Sequence, residues 1–170
     1  MTDATSSLQG AIAGQFHAAL KMLGKAIEIC PEELWLAGSG DSPNRTWQVA
    51  YHALFYTHFY MAPSDAAFVA WPRHRTDYNF LGQNHWKPGV KLQIDQPYTQ
   101  AELLEYLDFC NAEVYRQTAI LDPEAPSGFS WLPFNKLELQ FYNLRHLSHH
   151  TGQISERLRA RAGLGVSWAR

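Results

Sequence analysis

Charge is scarce in this 170-residue chain: Asp, Glu, Lys and Arg together make up 18% of it, below the quarter usual for globular domains. The net charge is -2 and the basic residues form no stripe. That balance argues against a nucleic-acid or anionic-membrane partner. The one basic gathering, Arg157, Arg159 and Arg161, is offset by Glu156 and lies near a helix end, where the macrodipole favours cations. No run approaches eighteen apolar residues, so no membrane-spanning helix is expected. The N-terminus also lacks a basic start followed by an apolar run, which sets the expectation of a cytoplasmic protein. Cysteine is nearly absent. Cys30 and Cys110 are far apart in sequence and form no CxxC pair, so they are expected to be reduced, small, semi-buried hydrophobes rather than nucleophiles.

Aromatics and histidine stand where charge is missing: six Trp, eight Tyr, nine Phe and eight His. Such residues suit a ligand pocket or a subunit contact. The length fits one domain over residues 1–170, with no internal repeat.

Four helical stretches are legible. The first is expected from about Thr5 to Glu28, with Thr5, Ser6 and Ser7 as candidate caps and Pro31 beyond its end. Leu8, Ile12, Phe16, Leu20, Leu23 and Ile27 recur at three and four, the period of an amphipathic helix. A short helical turn at Pro31–Trp35 and a loop over Gly38–Asn44 follow. The second helix spans roughly Thr46 to Met61 and contains no Asp, Glu, Lys or Arg. Such a segment must be covered on more than one face, by the centre of a bundle or by another subunit. The third spans about Thr99 to Leu121, opened by a Thr99/Glu102 capping box. The fourth runs from about Asn135 to Ala162 and stops at Gly163. The tail, with Val166 and Trp168, is expected to fold back. The fold class is therefore all-α, a four-helix bundle with a long crossover loop between the second and third helices. That loop, residues 62–98, carries Trp71, Tyr78, Phe80, Trp86 and Tyr98. It is too apolar to hang in water and is expected to serve as a lid or pocket wall.

The fourth helix contains His146, His149 and His150. His146 and His150, at i and i+4, lie one above the other on one face. That spacing lets two imidazoles bind one metal ion from a single helix, as in HExxH zinc enzymes, although no glutamate follows the first histidine here. On spacing alone such a pair is more often two hydrogen-bonded histidines. His149 points further round, a surface position. A third ligand has to come from a neighbouring helix. His52 is the better placed candidate, with Tyr56 and Phe59 on its side; His58 is its competitor on the face of Trp47, Tyr51 and Leu54. Three neutral imidazoles are the donor count of a catalytic rather than a structural site, and suit Zn²⁺, Ni²⁺, Cu²⁺ or Fe²⁺. His17, His74 and His85 read as solvent-facing or hydrogen-bonded.

The combination of Trp47…His52 on the second helix with the late block His146-x-x-His149-His150-Thr-Gly-Gln153 resembles the DinB-like superfamily, along nearly the whole chain. The resemblance implies a four-helix bundle with a histidine-triad site on His52, His146 and His150, commonly holding zinc or nickel, and often a homodimer. It also implies a metal-dependent transferase or hydrolase acting on a small molecule. Relatives include thiol S-transferases and isomerases that use low-molecular-weight thiols such as bacillithiol or mycothiol. In that picture Tyr56, Arg145 or the loop residues Arg73 and Arg75 would grip the substrate. The other reading of the same resemblance is a metal-binding or stress-response homodimer without turnover.

Overall fold

A computed structural model describes residues 4–38 and 44–170. Its elements are α1 (Ala4–Glu28), α2 (Glu32–Trp35), α3 (Thr46–Met61), α4 (Gln100–Ala119) and α5 (Lys136–Ala162). Among the described residues there is no strand, only a single bridge between Pro126 and Asn135. The four long helices pack as a bundle in which α1, α4, α3 and α5 are neighbours in turn, with the largest contacts between α1 and α4 and between α3 and α5.

The apolar period of α1 becomes the core wall. Phe16, Leu20, Leu23 and Ile27 are fully buried, each stabilising the fold by about 1.5–3 kcal/mol relative to exposure. Residues Thr5, Ser6 and Ser7 fall inside α1 rather than before it, since the helix already includes Ala4. The central part of the expected Gly38–Asn44 loop, residues 39–43, is outside the described residues.

Twelve of the sixteen residues of α3 are buried. The uncharged helix is thus covered within a single chain, by α4 and α5 and by the connection that follows it. At α4 the capping box is present: Thr99 Oγ1 accepts from the Glu102 amide and Glu102 accepts from the Thr99 amide. For α5, Asn135 is the cap rather than the first helical residue, its side chain accepting from Glu138 N at 2.9 Å. Gly163 ends the helix in the left-handed region with φ 67°, where its amide and that of Leu164 satisfy the last free carbonyls. The tail folds back in part: Leu164 and Val166 pack on the core, whereas Trp168 is exposed.

Residues 62–99 contain no helix but are not loose. Trp71 stacks on Tyr106 of α4 with centroids 4.4 Å apart, and Tyr98 stacks on Tyr51 of α3 at 4.6 Å. Trp35 Nε1 donates to the Tyr98 carbonyl at 2.8 Å, and the Tyr98 hydroxyl donates to the Arg73 carbonyl at 2.6 Å. The connection before α5 is tied to the start of this segment. Lys136 Nζ donates to the carbonyls of Ala62 and Pro63, and Gly128, at φ +85°, approaches Pro63 so closely that a Cβ there would lie 2.2 Å from its carbonyl oxygen. Only glycine meets both demands.

Candidate metal centre

His52 projects from the middle of α3, and His146 and His150 from successive turns of α5, the helix packed along it. Their Nε2 atoms converge: His52 to His146 is 3.0 Å and His150 to His146 is 3.2 Å. One ring nitrogen from each of the three lies within 4.8 Å of the others. For Zn–N bonds of about 2.0–2.1 Å in tetrahedral geometry the donors sit about 3.3 Å apart, so the triad can hold a metal ion with little adjustment.

The remaining ring nitrogens explain why the Nε2 atoms face each other. His52 Nδ1 lies 2.7 Å from the Asn79 carbonyl, which can only accept, so the proton is on Nδ1 and Nε2 presents a lone pair. His150 Nδ1 lies 2.8 Å from Gln153 Oε1, with the same consequence. His146 Nε2 is within reach of both lone pairs but carries one proton at most, leaving at least one pair of lone pairs opposed. A cation at the centre removes that conflict. His146 Nδ1 is buried and without a hydrogen-bond partner among the described residues.

The electrostatics favour the ligating form. His52 is pulled down to about 2, first by burial and then by its neighbours His150 and His146. His146 is pulled down to about 3 by burial and by His150 and His149. His150 is lowered by burial, with the Gln153 hydrogen bond opposing. At neutral pH all three are uncharged imidazoles, the form that binds metal.

The competitors are elsewhere. His58 is buried beside Phe68 and Phe109, its Nδ1 3.1 Å from the Tyr106 hydroxyl, and burial lowers it to about 4. His149 is exposed. His17 pairs with Asn111 and His74 with Tyr51. Both cysteines are free and buried; burial pushes Cys30 up to about 11 and also raises Cys110, so neither is poised as a thiolate.

Of the residues expected to grip a substrate, Tyr56 is at the triad: its ring centroid is 4.7 Å from that of His52 and 5.4 Å from that of His146. Arg145 is exposed, its guanidinium over the Tyr142 ring at 5.5 Å. Arg73 and Arg75 are drawn to the start of α4, where Glu102 pairs with both and Glu105 with Arg73. Two participants had no role assigned from sequence, Asn79 and Gln153. Gln153 lies three residues beyond His150, a same-face spacing; Asn79 acts through its backbone and leaves no side-chain signal.

Beside the triad lies a cavity of about 330 Å³, lined by Phe55, Tyr56, Phe59 and Tyr60 of α3, by Phe68, Asn79, Phe80, His85 and Trp86 of the long connection, and by Trp131. Tyr56 and Asn79 belong both to it and to the surroundings of the histidines. The long connection therefore forms a pocket wall. No family model, curated protein or solved structure matches this chain.

Proposed function

We propose that His52, His146 and His150 hold one divalent ion, zinc or nickel, and that the chain is a DinB-like metal-dependent enzyme acting on a small molecule. The observation that carries this reading is the convergence of three Nε2 atoms, with the lone pairs of His52 and His150 turned inward because their opposite ring nitrogens face Asn79 O and Gln153 Oε1. Three protein donors leave room for one more ligand, the count of a catalytic site. An ion bound there supplies Lewis acidity that lowers the pKa of a water or thiol, making a nucleophile at neutral pH.

The chain's own residues do the rest. Asn79 O and Gln153 fix the tautomer and ring orientation of His52 and His150, as outer partners do in metal sites generally. Tyr56, held neutral by burial, stands between the histidines and the cavity. None of the cavity's lining residues is a carboxylate, and Leu147 follows His146 where HExxH hydrolases carry their general base. That favours transfer of a thiol, which needs no separate base once deprotonated, over hydrolysis.

The test is a panel of low-molecular-weight thiols with small electrophiles, run on metal-loaded protein. Turnover should vanish in His150→Ala and persist in His149→Ala. Bound metal with no turnover anywhere in the panel would assign the chain instead to the non-catalytic metal-binding reading.

A further inference from the structure

We infer that the cavity beside the triad is a binding site for an uncharged aromatic ring system, the part of a small-molecule substrate that does not react. This deepens the reading just given, on which it rests only for what the ligand meets at the metal.

Eight of the ten lining residues are aromatic. Apolar pockets of about 150 Å³ already admit benzene, so a space of about 330 Å³ accepts two fused rings or one substituted ring. The walls are pre-formed by their own packing: Phe59 meets Phe68 edge to face at 4.8 Å and Phe129 at 5.0 Å, and lies parallel to Trp131 at 6.3 Å. Trp86 and Trp131 meet edge to face at 5.0 Å. Trp86 is 62% and Trp131 37% exposed, and indoles left in water at a cavity rim are the residues that dominate binding energy when a ligand covers them.

The charge of the occupant follows from what lines the cavity. Apart from His85, a single imidazole, no basic side chain is there to pair with a carboxylate or phosphate, and no Asp or Glu is there to pair with an ammonium. Aromatic faces alone do attract quaternary ammonium groups, but three uncharged imidazoles would leave a divalent ion's charge uncompensated beyond Tyr56 and Asn79, which repels a cation. A neutral ring with one oxygen or sulfur donor fits both ends. Asn79 Nδ2 and the Tyr56 hydroxyl, 3.5 Å apart, are polar groups on the side of the cavity next to the triad, and His85 is another in the lining.

The experiment is calorimetric titration of the full chain, stripped of metal and then zinc-loaded, with 2-naphthol, 2-naphthalenethiol, cysteine and choline. 2-Naphthol should bind the stripped protein at least tenfold more tightly than cysteine, and the zinc-loaded protein at least tenfold more tightly than choline. 2-Naphthalenethiol should gain at least a further tenfold on zinc loading. Trp131→Ala and Trp86→Ala, both at the rim, should each weaken 2-naphthol binding at least fivefold, while Phe141→Ala, an exposed aromatic on α5 outside the cavity, should leave it unchanged. Absence of 2-naphthol binding, equal or tighter choline binding to the zinc-loaded protein, or indifference to both rim substitutions would overturn the inference. Binding of 2-naphthol with Trp131 dependence in a protein that takes up no zinc would uphold the cavity and refute the metal reading; zinc uptake without 2-naphthol binding would do the reverse.

Discussion

Removing the amide that orients His150 should weaken metal binding without touching a ligand. Gln153 Oε1 is 2.8 Å from His150 Nδ1, and in Gln153→Ala the imidazole loses the acceptor that keeps its proton off Nε2. Losing such an outer partner typically costs tenfold to a hundredfold in metal affinity, which is about 1.4–2.7 kcal/mol. Gln153 is exposed, so water can take its place and the loss should sit near tenfold. Gln153→Glu should bind at least as tightly as the parent, since a carboxylate accepts the same hydrogen bond more strongly. Competition against a chromophoric zinc chelator at pH 7 reads both changes, and His149→Ala serves as the neighbour that should leave the affinity unchanged. Equal affinities for the parent and Gln153→Ala would refute the argument that Gln153 fixes the donor nitrogen.

Acid should destabilise the metal-free protein. His58 is 5% exposed and lowered from 6.5 to about 4; the unfolded chain takes up its proton first, so stability falls as pH drops from about 6.5 towards 4. That gap corresponds to about 3 kcal/mol from this residue, with His52 and His146 adding in the same direction. Urea unfolding of His58→Phe should show a shallower acid limb, at a cost near pH 7 of about 1–3 kcal/mol for the unpaired Tyr106 hydroxyl; an unchanged pH slope would count against this assignment. Gly128→Ala should lower stability by roughly 3 kcal/mol or more, because its φ is +85° and its Cβ would meet the Pro63 carbonyl. A urea midpoint within error of the parent would contradict that close approach.

Much of the bundle was legible because its signals are local. The period of Leu8 to Ile27, the Thr99/Glu102 box and Gly163 each act within a turn or two of helix, and their elements form where those residues place them. The His146/His150 pair was legible for the same reason. Choosing His52 over His58 rested on a weaker signal. An amphipathic helix announces its inner face, but α3 is apolar nearly all round, so the face it turns to α5 depends on packing. Tyr56 and Phe59 on its side pointed to His52, the resemblance gave the same residue, and the structure brings it to the other two. The cavity was also beyond local reading, since it draws on α3, the long connection and Trp131, joined by contacts such as Gly128 on Pro63. Arg145 looked available as the charge next to His146, yet at one residue's spacing it turns about 100° away and into solvent.

Elemental analysis of the purified, untagged chain after zinc exposure and dialysis, beside the combined His52→Ala, His146→Ala, His150→Ala variant, tests the central claim most directly. The account predicts about one equivalent of metal per chain in the parent and none in the variant. No metal in either, or equal metal in both, would contradict it.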